Sequence, residues 1–131
     1  MKTNSFFVAI DGDLVGRKLE KLIVSNELDE LERYSYSINE SINRIHFLSE
    51  TFNGKTYLKG GDSLLIELLE YQLFVEEFIS KQSGMPTSFS VGIGRNAVEA
   101  YLALKFAKSA GRGLIVLVEV LNNTFEFKQI G

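Results

Sequence analysis

The chain has 131 residues, of which 45% are apolar and 24% charged. That is ordinary for one globular domain whose core needs no covalent staples. Fourteen basic and seventeen acidic side chains leave a net charge of −3, which argues against a general basic surface for long nucleic acid. Cysteine is absent and His46 is the single histidine, excluding disulfides, thiolate nucleophiles, zinc-thiolate sites and multi-histidine metal centres. The polar stretch 1–5 leads into an apolar run at 6–10 that is too short for a signal-peptide core, and the aliphatic run 114–118 is too short to span a bilayer. The expectation is a cytoplasmic chain with no membrane insertion. No linker, repeat or low-complexity tract interrupts it, so residues 1–131 read as one domain.

Residues 6–10 form a buried-strand pattern closed by the turn Asp11-Gly12-Asp13. Residues 14–26 place Leu14, Val15, Leu19, Leu22 and Ile23 on one helical face, and residues 29–52 do the same with Leu31, Tyr34, Ile38, Ile42, Ile45 and Phe52. Residues 56–69 are strand-like on both sides of Gly60-Gly61-Asp62, a tight-hairpin signal because glycines accept positive φ. A helix is expected over 71–82 and is broken by the stretch 84–86. Residues 88–93 alternate, with Phe89, Val91 and Ile93 on one side. Asn96 is placed to cap the next helix, with Glu99 three residues on, and Gly111 to end it. Residues 114–120 read as a strong strand, and 125–130 as its hairpin partner after Asn122-Asn123. This order implies an α+β sandwich, with a mostly antiparallel sheet and helices on one face.

Asp11 ends the first strand and Asp62 sits at the hairpin tip. If those strands are neighbours, both carboxylates project at one end of the sheet. Such a pair of hard oxygen ligands suits Mg²⁺, which prefers one or two carboxylates plus substrate phosphates. The same dipeptides also serve as plain turns, and Asp13 fits equally as a cap of the first helix. The segment from Gly12 to Gly16 joins strand to helix, where free backbone N–H groups cradle phosphate oxygens. Lys105, Lys108 and Arg112 follow an i, i+3, i+7 spacing that confines them to an arc of roughly 60°. Ala100, Ala103, Leu104, Phe106, Ala107 and Ala110 occupy the opposite arc. A basic stripe at a helix C-terminus also suits the macrodipole as a solvated face; combined with a metal pair it makes a triphosphate clamp. His46, mid-helix beside Ile45, reads as structural, while Tyr101 falls near the cationic arc, within reach of a nucleotide.

Four segments, FFVAIDGDLVG, YLKGGDSLL, SFSVGIG and AYLALKFAKSAGR, resemble in order the signature segments of the GGDEF-type nucleotidyl-cyclase palm. The most specific is the last, with Ala107-Lys108 and Gly111-Arg112 keeping the AK-x-x-GR spacing. The short chain and the Asp11-Gly12-Asp13 turn are similar more narrowly to the minimal CRISPR polymerase (mCpol) family. The resemblance implies a ferredoxin-like palm with an added Gly-Gly-Asp hairpin. It implies an enzyme that condenses nucleoside triphosphates into a cyclic dinucleotide with Mg²⁺ (or Mn²⁺), serving antiphage signalling through a cyclic-dinucleotide-responsive effector. Asp11 and Asp62 match the catalytic metal ligands, and Gly12 supplies a backbone carbonyl ligand. Lys108 and Arg112 match the triphosphate-binding pair. Lys105 joins them from the helical arc, and Leu14, Val15, Gly16 and Ser63 complete the expected nucleotide site. Two chains are expected to face each other as a C₂ homodimer.

Three departures qualify the resemblance. Ser63 replaces a second acidic residue of the hairpin, Leu19 stands where diguanylate cyclases place a guanine-reading asparagine, and residues 51–54 lack the RxxD inhibitory site. Leu19 favours ATP and a cyclic di-AMP type of product. A diguanylate cyclase-like enzyme using GTP, or a degenerate nucleotide-binding sensor, are the alternatives.

Overall fold

The computed structural model describes residues 4–131; positions 1–3 of the polar N-terminal stretch lie outside the described residues. Ten elements follow in the order β1 (Phe6–Gly12), α1 (Val15–Val24), α2 (Leu28–Thr51), β2 (Lys55–Gly60), β3 (Ser63–Leu68), α3 (Tyr71–Gln82), β4 (Phe89–Gly94), α4 (Ala97–Ser109), β5 (Ile115–Leu121) and β6 (Thr124–Gln129). The strands form one sheet in the order β2-β3-β1-β4-β5-β6. Its pairings are antiparallel except for β4–β5, which is parallel. The parallel pair requires a crossover, and α4 provides it. Among the described residues, no helix is long and apolar enough to cross a membrane.

The period-two alternation assigns each strand residue to a face. Val8, Ile10, Leu64, Ile66, Phe89, Val91 and Ile93 point into the main core, where they meet Ile42, Ile45 and Leu48 of α2 and Phe74 and Phe78 of α3. The helices do not all lie there, contrary to the one-face expectation. Ala103 and Ala107 of α4 pack with Val116 and Val118 in a second cluster on the other side of the sheet. Gly92 and Gly94, the alternate residues of β4, explain how α4 fits. A Cβ on Gly92 would lie 2.2 Å from both the Ala100 carbonyl oxygen and the Leu104 nitrogen. The helix backbone therefore rests directly on the strand, with Ala100, Ala103 and Ala107 fully buried beneath it.

Local signals act where the sequence places them. The Asn96 side chain accepts the Glu99 N–H at 2.8 Å, capping α4. Asn122 and Asn123 both adopt positive φ in the two-residue turn that opposes Leu121 to Thr124, the geometry favoured by right-twisted hairpins.

Gly92→Ala should destabilise the protein by about 3 kcal/mol, because backbone must move to admit the methyl group. Gly60→Ala, whose Cβ would meet nothing within 4 Å, should change stability by less than about 0.5 kcal/mol. Urea denaturation of the two variants checks the contrast.

Candidate active site

The antiparallel register of β1 and β3 sets Asp11 opposite Ser63. One step on, the Gly12 N–H donates to the Asp62 carbonyl at 2.9 Å. The β2–β3 connection holds only Gly61 and Asp62 between the paired Gly60 and Ser63, with Gly61 at φ 56°. The hairpin tip thus closes directly onto the end of β1. Gly12 permits this approach: a Cβ there would lie 2.8 Å from Val15 Cγ2 and 3.2 Å from Asp62 Oδ2.

Lys108 reaches into this end of the sheet from α4. Its ammonium lies 3.0 Å from Asp11 Oδ2 and 3.2 Å from Asp13 Oδ1, and donates to the Gly12 carbonyl oxygen at 3.1 Å. The Ser63 hydroxyl donates to Asp11 Oδ1 at 2.5 Å. Asp62 lies close enough for its charge to couple to Asp11. Burial first, and then the Asp11 charge, push its carboxyl above the usual carboxylate range, with Lys108 acting in the opposite sense. The oxygens of Asp11 and Gly12 already converge on a cation, so this donor set fits a hard divalent ion. No group of three or more His, Cys, Asp or Glu side chains is placed to hold an ion among the described residues. A centre made from Asp11, Asp62 and the Gly12 carbonyl would thus leave coordination positions for substrate oxygens.

Asp13 has a larger role than its reading as a helix cap. The N-cap of α1 is Leu14, at φ 58° and with no side-chain cap. The Asp13 carboxylate is buried and accepts from Ser88 Oγ at 2.6 Å, Ser90 Oγ at 2.7 Å and the Gly113 N–H at 2.9 Å, besides Lys108. It therefore ties β4, α4 and the loop after α4 to the end of β1. The Ser-x-Ser spacing of Ser88 and Ser90 puts both hydroxyls on one side of the chain, but nothing local links them to Asp13.

Two clefts flank this centre. One, of about 670 Å³, lies between α1, α2 and the loops around Thr87 and Arg112; Asp13, Leu14, Lys18, Arg33, Tyr34 and Arg112 line it. Arg33 pairs there with Glu30. Burial raises the Tyr34 phenol above its ordinary value, against the hydrogen bond with Thr87, so it stays a neutral hydroxyl. The second cleft, of about 260 Å³, lies between α4 and the strands β1, β3 and β2, and is bounded by Asp11, Ser63, Lys105 and Lys108. The three cations of the expected stripe are thereby divided. α4 ends at Ser109 and Arg112 stands beyond it at φ 64°, so the helical arc does not extend to Arg112. Arg112 faces the first cleft, Lys105 the second, and Lys108 bounds the second from within the carboxylate cage. His46 sits on α2, 4.0 Å from Glu50, and lines neither cleft.

Removing the Asp13 carboxylate by Asp13→Ala should cost about 3 kcal/mol, since it strands buried donors and one partner of an ion pair; chemical denaturation reads this directly. Asp62→Asn should act in the other direction. A carboxyl with a raised folded-state pKa binds its proton more tightly in the folded chain, so its ionisation lowers stability as pH rises through that pKa. The Asn variant should be more stable than the parent at neutral pH, with the difference vanishing below the ordinary carboxylate pKa. Thermal melts across a pH series check the sign.

The fold is shared with solved structures of low sequence identity. A diguanylate cyclase/phosphodiesterase from Caldicellulosiruptor saccharolyticus superposes with a TM-score of 0.59 at 19% identity, covering 96% of this chain and 80% of that one. The adenylyl cyclase CyaB from P. aeruginosa gives 0.51 at 12% identity, covering 88% and 76%. No curated protein matches the sequence. The profile of mCpol, the minimal CRISPR polymerase domain, matches residues 7–118. This span holds Asp11, Asp62, Lys108 and Arg112, and the chain belongs to the mCpol family.

Proposed function

We propose that this palm is a divalent-metal-dependent nucleotidyltransferase that joins two nucleoside triphosphates, ATP by preference, into a cyclic dinucleotide. The observation that carries the reading is the convergence of the Asp11 carboxylate and the Gly12 carbonyl on one cation, Lys108 Nζ, at 3.0 and 3.1 Å. Asp62 is pinned alongside by the Gly12–Asp62 backbone hydrogen bond. Asp11, Asp62 and the Gly12 carbonyl would hold Mg²⁺ or Mn²⁺. A bound ion supplies acidification of the attacking ribose hydroxyl and neutralisation of phosphate charge.

The chain's own groups account for the rest. The first cleft gathers Lys18, Arg33 and Arg112 beside the start of α1, where the backbone N–H groups of Val15 and Gly16 are unpaired donors of the first helical turn. Leu14, Val15, Gly16, Lys108 and Arg112 thus receive the triphosphate and stabilise charge on the departing pyrophosphate. In each transfer a ribose oxygen bonds to an α-phosphorus, the bond from that phosphorus to the pyrophosphate oxygen breaks, and the hydroxyl proton passes to solvent. Two such transfers close the ring and release two pyrophosphates. Ser63 holds Asp11 in one orientation rather than adding a second carboxylate to the hairpin. Leu19 supports adenine over guanine. A C₂ pair of chains would present two centres to one product, and a cyclic-dinucleotide-responsive effector in antiphage defence is the proposed destination of the signal.

Purified protein incubated with each nucleoside triphosphate and Mg²⁺ should yield a cyclic dinucleotide from ATP, identified by mass and nuclease sensitivity. Asp11→Asn and Asp62→Asn should each lower kcat on the order of 10³-fold, equivalent to about 4 kcal/mol of barrier. A product made only from GTP would instead identify a diguanylate cyclase-like enzyme. Tight nucleotide binding with no product would identify a sensor, the reading that Ser63 favours.

A further inference from the structure

We infer that the cleft between α4 and the β1-β3-β2 half of the sheet is a purine-nucleoside subsite, which seats the nucleotide whose ribose hydroxyl attacks. The inference rests on the proposed transferase reading and extends it: joining two nucleotides needs two places to bind them beside one centre.

The fold leaves this face open for a physical reason. α4 lies on β4, where Gly92 and Gly94 admit its backbone, and on β5 through Val116 and Val118. It borders β1 but does not extend over β3 and β2. There the pairings Ala9–Leu65 and Leu58–Leu65 line up three apolar side chains across three strands, and all three line the cleft. Tyr101 of α4 forms the facing wall, with Lys105 Nζ 5.3 Å from its ring centroid. An apolar floor, an aromatic wall and a cationic edge match a purine base, which stacks on aromatic rings and tolerates a cation at its face.

Size and position narrow the occupant. The cleft, at about 260 Å³, is below the roughly 300–1,000 Å³ of pockets that enclose drug-sized ligands, and it suits one nucleoside rather than a dinucleotide. Asp11, Ser63 and Lys108 form its inner end, so a ribose whose base rests on Leu65 would lie toward the carboxylate centre. The first cleft has a polar character instead: Lys18 and Arg112 line it, with Arg33 held by Glu30, which suits a triphosphate better than a base. Asp13 lines the first cleft and Asp11 and Lys108 line the second, so the carboxylate cage stands between them, which is where a ribose oxygen and an α-phosphorus must meet.

The test uses adenosine, which lacks phosphates, and inorganic tripolyphosphate, which lacks a base, with backbone amide NMR of the full chain. Adenosine should shift the amides of Ala9, Leu58, Leu65 and Leu104, and should still do so when tripolyphosphate saturates the first cleft. Tyr101→Ala should weaken adenosine binding about tenfold and leave tripolyphosphate affinity unchanged; Tyr101 is 53% exposed, so the variant keeps the core intact. Leu65→Trp, which fills the floor, should abolish the adenosine shifts. Adenosine shifts confined to residues around Leu14 and Tyr34, or displacement of adenosine by tripolyphosphate, would overturn the subsite. Failure of tripolyphosphate to bind at all would instead count against the transferase reading, while the adenosine shifts still decide the subsite.

Discussion

The site depends on the register between two antiparallel strands. Side chains alternate faces along a strand, so a one-residue slip between β1 and β3 would turn Asp11 into the core and bring Ile10 out. The register is held by the apolar pairs Val8–Ile66 and Ile10–Leu64 on the core side, which fill the main cluster with α2 and α3. At its open end the Gly12 N–H binds the Asp62 carbonyl, and the absence of a side chain on Gly12 lets the hairpin tip come that close. Core packing thus fixes the positions of two carboxylates that take no part in the core.

Half-burying a carboxylate beside another carries an electrostatic cost: burial first, and then the Asp11 charge, raise the pKa of Asp62. The chain offsets it from the opposite face of the sheet. Gly92 lets α4 sit close enough that Lys108 reaches Asp11, Gly12 and Asp13 together. Asp13 then anchors that lysine's surroundings through Ser88, Ser90 and Gly113. A packing feature in the middle of β4 and a polar network at the sheet end are therefore parts of one arrangement.

Much of this was legible in the sequence. Strand and helix periods located the ten elements, Asn96 and Asn122-Asn123 marked a cap and a turn, and the Gly60-Gly61-Asp62 signal fell where β2 and β3 pair. The placement of α4 on the second face was less so, because period alone does not say which side of a sheet a crossover takes. The available clue was the alternation of Gly92 and Gly94 with Val91 and Ile93, which clears one face of a strand for a helix. Arg112 was assigned to a helical arc that ends before it, since Gly111 and Gly113 on either side both adopt positive φ. The contacts of Asp13 join residues far apart in the chain, and no local pattern encodes them.

The position of Lys108 has a further consequence. Its ammonium engages the Asp11 carboxylate and the Gly12 carbonyl, the same oxygens a divalent ion would use, so lysine and ion are competitors for one set of donors and the second contact with Asp13 gives the displaced ammonium somewhere to stay.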